Sequence, residues 1–351
     1  MAYIICICIV FAFSYIADKR ENKICVFMIA CVLSLFCGLR GVGVGVDTAN
    51  YYSFMSQIEG AGITFGSDIG FNIASYFLMH MLKNPYYPLL VFAFVTNSLI
   101  TFRLWDFRKE SSFTLMMLIY MVIYYPYTFN IVRQFLAISV IFWGTKYLER
   151  EKYSRYLLLN ILAATFHTSA LICFGFLAFS FGYKTKQKRI KVLSFTIALL
   201  IVIIGLFIFS SNIAKYETYF TMTKINFHAM IILKILCVLF VSYSGNIFYN
   251  DEFSITKFGG LVPIEKQIHM LYMVGLILSA LGMGFEFVNR IGFYFMVFEM
   301  PFWGQVVRAK RSRNVYRLII FMILLYVTIA TFFSGKCADN LFYYHTFLSQ
   351  M

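Results

Sequence analysis

The sequence has little of what a soluble protein needs. It holds no soluble domain, no internal repeat and no low-complexity tract, and its longest polar stretches lie only at about 39–68 and 250–266. Charged residues make up 13% of the chain against 61% hydrophobic ones, with a mean hydropathy of +0.76. No single core could hide that much apolar surface, so this is an integral membrane protein. Alternating ten-residue strands are also missing, which excludes a membrane β-barrel. The eight cysteines form neither a zinc-like spacing nor a disulfide framework. Most sit inside apolar runs as small hydrophobes, and Cys337 alone lies near a polar tail. The first apolar segment lacks a basic region ahead of it and is followed by Lys19, Arg20 and Lys23. A retained helix is expected there, not a cleaved signal.

What is present is a series of apolar runs that approach or reach the roughly 17–25 residues of a membrane-crossing helix. The expected fold is all-α, a polytopic transmembrane bundle in one domain over residues 1–351. The formal charge of +14 reads as basic cytoplasmic loops and not as a nucleic-acid surface. Charge parity then constrains the topology. Simple alternation would put "RLWDFRKE" and "RAKRSRNVYR" on opposite sides. Two segments repair this. "IGFNIASYFLMHML", residues 69–82, is short enough to be re-entrant or interfacial, and residues 156–182 are too long for one ordinary helix. The latter reads as a hairpin of two short helices meeting near His167. About 12 crossings result, with 39–68 an outer loop, 250–266 a cytoplasmic loop and both chain ends outside.

Positive-inside pressure makes outer arginines informative. Arg40, Arg133 and Arg290 all fall at outer helix ends, and His167 lies on the same side. Each has a plain structural explanation: Arg40 snorkelling or binding a lipid phosphate, Arg290 pairing with Glu286, His167 hydrogen-bonded in packing. Together they resemble an anion-handling site. Arg133 stands out because Asn130 and Gln134 flank it where a helix begins and backbone N–H groups carry partial positive charge. Gly41, Gly43 and Gly45 allow close backbone approach to a ligand, and Asp47 supplies a carboxylate. No P-loop lysine follows those glycines, so they say nothing about nucleotides. Glu299, deep in an apolar segment before Pro301, is either paired within the bundle or protonated and receives no role.

The order "LRGVGVGVDTANYYSFM", "YYPYTFNIVRQFLAISVIFWGTKYLEREKY", "LAATFHTSALI" and "NRIGFYF" resembles the EpsG-like family of Wzy-type polysaccharide polymerases. The resemblance covers most of the first half and one later segment. It implies a bacterial enzyme of O-antigen, capsule or exopolysaccharide synthesis. Such an enzyme joins oligosaccharide repeat units carried on undecaprenyl diphosphate, donor and acceptor alike, at the outer face of the cytoplasmic membrane. The family's arginine and aspartate match Arg40 and Asp47, its helix-start arginine matches Arg133 and its histidine matches His167. Arg290 matches a less specific arginine-aromatic pattern, and Val46 departs from the hydroxyl residue the family often has before the aspartate.

By this reading Arg133 and Arg290 take the diphosphate and Arg40 positions substrate, with Asn130 and Gln134 beside Arg133. The base is His167 or Asp47. By analogy the reaction inverts by direct displacement on a fold like the GT-C membrane glycosyltransferases. The predicted outer acids form no close D-x-D pair, so neither metal nor other cofactor is expected. Membrane lipid is a partner, and the resemblance leaves room for a flippase and a chain-length regulator as neighbours. A lipid-linked oligosaccharide flippase or a glycan ligase is the alternative function.

Overall fold

A computed structural model describes residues 2–63, 68–211, 229–244, 262–283, 286–308, 321–322, 325 and 344–350. Most of the expected cytoplasmic loop at 250–266 lies outside them. The described residues are helical without a strand; a lone antiparallel bridge joins Arg40 to Thr346. Among the described residues, two helices are long and apolar enough to cross a membrane by length and composition alone, Ala2–Arg20 and Tyr86–Asp106, and shorter apolar helices accompany them. Where the sequence reads as one membrane domain, the packing divides into two compact units, each made of discontinuous stretches.

The first unit comprises residues 1–143, 161–168 and 324–351. It contains α1 (Ala2–Arg20), α2 (Lys23–Gly38), α3 (Thr48–Ala61), α4 (Ile69–Leu82), α5 (Tyr86–Asp106) and α6 (Phe113–Ile119). After α6 the chain widens into a π-turn, Tyr120–Tyr124, then tightens into a 3-10 turn, Tyr125–Phe129. Pro126 sits at the start of this 3-10 turn, and its missing N–H removes a bond that would continue the wider helix. Helix α7 (Val132–Glu149) then starts afresh. The helical path from Phe113 is therefore interrupted just before Arg133.

Side-chain contacts fix the two ends of this unit. At one end Tyr3 of α1 donates to the Met121 carbonyl and stacks on Tyr125, while the Tyr344 ring lies 4.0 Å from that of Phe36 near the end of α2. At the other end Asp18 accepts from Ser112 and from the backbone and hydroxyl of Thr114, which holds the start of α6. Helix α4 both begins and finishes at the first end. Its start lies by His167, and the following Tyr86 meets Tyr52 and stacks on Phe347 at 4.2 Å.

The stretch read as an outer loop at 39–68 is not all loop, for it contains α3. Tyr51, Met55 and Ile58 recur at helical spacing and are buried. They join Phe71 and Met79 of α4, Leu89 and Phe92 of α5, and Val132 and Leu136 of α7 in one apolar cluster. Few polar breaks in "TANYYSFMSQIEGA" look like a membrane segment, so hydropathy alone hides this helix.

The second unit comprises residues 144–160 and 169–323. Helix α8 (Tyr153–Phe166) starts in this unit, while its residues from 161 on, with His167 and Thr168, count in the first; a 3-10 turn, Thr168–Cys173, then leads into α9 (Phe174–Lys184) and α10 (Lys188–Ser211). The break in the long apolar run falls at His167. Lys184 donates to the carbonyls of Leu148 and Glu149 and to the Glu151 carboxylate, capping the end of α7. Helices α11 (Ala229–Ser244) and α12 (Val262–Leu281) follow, then α13 (Glu286–Met296) and α14 (Glu299–Arg308). Glu299 is fully buried and paired: Lys234 donates to it at 2.8 Å and Tyr272 at 3.2 Å. Of the two readings open for this residue, pairing within the bundle is the one found.

Candidate functional site

The site grows from Asp68, a residue to which sequence reasoning gave no role. Asp68 sits at the N-cap of α4 in a left-handed conformation (φ 63°, ψ 38°) that non-glycine residues seldom adopt. An aspartate there normally accepts from the first N–H groups of its own helix. This one does not. Its carboxylate turns instead to Arg133, whose Nη1 donates at 3.0 Å, and to the backbone N–H of Thr168 at 3.1 Å. Nδ1 of His167 lies 3.3 Å from each carboxylate oxygen, and the Thr168 hydroxyl donates at 3.3 Å. Residues 65 and 99 positions apart in sequence thus meet on one buried carboxylate.

Local structure explains the meeting. Gly70, in the first turn of α4, faces Thr165 so closely that a Cβ there would overlap the threonine side chain. That contact brings the start of α4 against the end of α8, where His167 follows. Arg133 stands between Val132 and Leu136 of the apolar cluster, in the first turn of α7, so its helix is anchored beneath it. Its guanidinium also lies 5.8 Å from the Phe71 ring centre and 6.0 Å from that of Tyr51.

The electrostatics follow from these contacts. Burial alone would raise the Asp68 pKa, but the His167 hydrogen bond and charge, then Arg133 and the Thr168 N–H, outweigh it and hold the carboxyl below its usual range. Asp68 therefore stays ionised at neutral pH and serves as an acceptor. Burial holds the Tyr51 phenol above its usual range, even with Arg133 beside it, so Tyr51 remains a neutral hydroxyl. The Arg133 side chain is 43% exposed and that of His167 24%, whereas Asp68 is 6% exposed. The two groups that a ligand can reach are thus set by a carboxylate that it cannot easily reach.

The other expected residues are placed differently. Arg40 is fully buried, and its guanidinium donates to the Thr48 hydroxyl at 2.9 Å and to the carbonyls of Cys37 at 2.6 Å and Phe129 at 2.9 Å. Asn130 accepts from the Val46 N–H at 2.8 Å, which ties the glycine-rich loop to the segment leading into α7. Gly45, with φ of 89°, makes the turn before that bond. Asp47 is half-buried at the N-cap of α3 without a side-chain cap, and Gln134 is buried. Arg290 belongs to the second unit, on α13. Asp68, Arg133 and His167 converge; Arg40, Asn130 and Asp47 belong to the adjoining loop system.

Among the described residues no three of His, Cys, Asp and Glu converge as metal ligands would. Asp68 and His167 meet as a pair whose facing atoms are engaged with each other and with Arg133. The arrangement can hold an imidazole in one orientation and present a guanidinium beside it.

Comparison with known proteins identifies a family. The sequence model of the EpsG family matches residues 23–346, nearly the whole chain. No curated protein and no solved structure matches it. The match takes in the glycine-rich loop, Asp68, Arg133, His167, Arg290 and the segment that bridges to Arg40. The chain therefore belongs to the EpsG family, a Wzy-like family of membrane polysaccharide polymerases.

Proposed function

We propose that the protein polymerises oligosaccharide repeat units carried on undecaprenyl diphosphate, at the outer face of a bacterial cytoplasmic membrane, with Arg133, Asp68 and His167 as the reacting centre. The observation that carries this reading is the single carboxylate joining a histidine and an arginine. Glycosyl transfer from a lipid diphosphate needs a base for the incoming hydroxyl and a cation where the diphosphate leaves. With Nδ1 turned to Asp68, His167 exchanges its proton through Nε2. Asp68 fixes that tautomer and stabilises the imidazolium as the hydroxyl proton arrives. The acceptor oxygen displaces the diphosphate from the anomeric carbon, and Arg133 takes the growing charge on the departing phosphate oxygens. Direct displacement inverts the anomeric centre. Arg40 acts by holding the loop that carries Asp47.

The first unit supports an outer placement of the site. The site end carries Arg40, Arg133 and the 344–347 segment, whereas the opposite end leads into the basic stretch "RLWDFRKE". Positive-inside bias favours a cytoplasmic location for that opposite end. Since α4 begins and ends on the site side, it supports a re-entrant segment, and Tyr3 on that same side agrees with outer chain ends.

Purified protein given only lipid-linked repeat units tests this reading. A ladder of covalent polymer is expected. Absence of covalent product, with movement of the lipid-linked unit across a vesicle membrane, would instead indicate a flippase; transfer only to an added foreign acceptor would indicate a ligase.

A further inference from the structure

We propose that the segment Tyr344–Phe347 is a built part of this site, a strap across the glycine-rich loop, with His345 as the residue that sets the loop's path. The proposal rests on the polymerase reading for its activity test only. The loop after α2 has no helix or sheet of its own, so its backbone needs partners from elsewhere. The strap provides them. The Gly41 N–H donates to the His345 carbonyl at 2.8 Å, and the Phe347 N–H donates to the Leu39 carbonyl at 3.1 Å, on either side of the Arg40–Thr346 bridge.

The strap also completes the end of α2. Among the last carbonyls of that helix, Leu35 accepts from the Leu39 N–H, Cys37 from Arg40, and Phe36 from the Tyr344 hydroxyl at 2.8 Å. Stacking of Tyr344 on Phe36 and of Phe347 on Tyr86 anchors it at two further points.

The glycines then acquire a reason that the sequence alone does not show. Gly41 and Gly43 are not in the positive-φ region; among the described glycines only Gly45 and Gly62 are. What they provide is space. A Cβ on Gly41 would overlap the His345 ring, and one on Gly43 would stand 3.2 Å from its Cε1. The close approach that these glycines permit is taken by the chain's own histidine. On its far side the loop is tied to Phe129 through Arg40 and to Asn130 through Val46, immediately ahead of the helix that carries Arg133. His345 thus acts on Asp47 and Arg133 through the loop, as a positioning residue.

Two arms test this. The first needs no substrate. Residues 41 and 345 are cross-strand neighbours beside the bridge, and such pairs have Cα atoms about 5.5 Å apart, within disulfide range. Gly41→Cys with His345→Cys, in a background cleared of the native cysteines, should yield a cross-linked peptide pair on oxidation. Failure to form it overturns the strap whether or not polymer is ever made. The second arm reads polymerisation. Gly41→Ala should lose about tenfold or more, since the new methyl meets an aromatic ring in a packed site. Adding His345→Ala should restore most of that loss, and His345→Ala alone should raise KM more than it lowers kcat. Gly41→Ala at wild-type rate, or a double variant no better than Gly41→Ala, overturns the positioning role.

Discussion

Asp68 concentrates the chemistry into one side chain, and its neighbours set what substitutions should do. Arg133→Lys keeps the charge but loses the planar fork that can hold both Asp68 and a phosphate oxygen. Polymerisation by that variant should fall about tenfold or more, while the protein still inserts and accumulates. Near-normal polymer length and rate would remove Arg133 from the mechanism. The pH dependence has a definite sign. Because the folded Asp68 pKa lies below the unfolded value, its contribution to stability is present above the ordinary carboxylate range and lost as pH falls through the folded value. Wild-type melting temperature in detergent should therefore drop more on acidification below about pH 4 than that of Asp68→Asn. Parallel curves would mean that the carboxylate gains nothing from its partners. Sequence reasoning found Arg133 and His167 because an arginine on an outer helix end and a histidine within an apolar run are conspicuous. It passed over Asp68 because an aspartate before an apolar helix is unremarkable as a cap, and only the folded chain shows its carboxylate turned away from that helix.

At the scale of helices, the site depends on how closely α4 meets α8 and how firmly α3 and α7 support it. Gly70→Ala should push α4 away from Thr165, where backbone as well as side chain stands in the way, and should separate Asp68 from His167. Polymerisation should be lost without a large change in expression; full activity would show that the contact can relax without harm. Met55 is fully buried in the cluster shared by α3, α4, α5 and α7. Met55→Ala should lower stability by about 2–5 kcal/mol, read as a lower melting temperature. Helix breaks were partly legible: the excess length of residues 156–182 located the turn at His167, and the short run at 69–82 has the bounds of α4. The breaks that hydropathy could not show are those made by backbone chemistry. Pro126 opens a 3-10 turn after the π-turn that follows α6, and the chain divides again between Met296 and Glu299, with Pro301 tolerated in the first turn of α14.

For the whole molecule, composition made the helical class legible, since so apolar a chain has few other ways to satisfy its backbone. Pairings between distant segments were not legible, because hydropathy ranks residues by burial and says nothing of which polar groups meet. The proposed topology gives one further expectation. With the native cysteines removed, Ser56→Cys, exposed on α3, should react with an impermeant maleimide added to intact cells. Lys152→Cys, exposed between α7 and α8, should react only after permeabilisation. The reverse pattern would turn the site towards the cytoplasm and away from the surface where the polymer is assembled.

The measurement closest to the central claim compares wild-type protein with Asp68→Asn, purified and supplied with undecaprenyl-diphosphate-linked repeat units across a range of pH. The amide is nearly isosteric with the carboxylate but cannot stabilise an imidazolium or hold Arg133 by charge. Wild-type protein should build a ladder of polymer. Asp68→Asn should retain its fold and lose at least about two orders of magnitude in rate, the scale of a misoriented general base. A ladder from Asp68→Asn that grows at the wild-type rate, with the wild-type pH profile, would contradict the account.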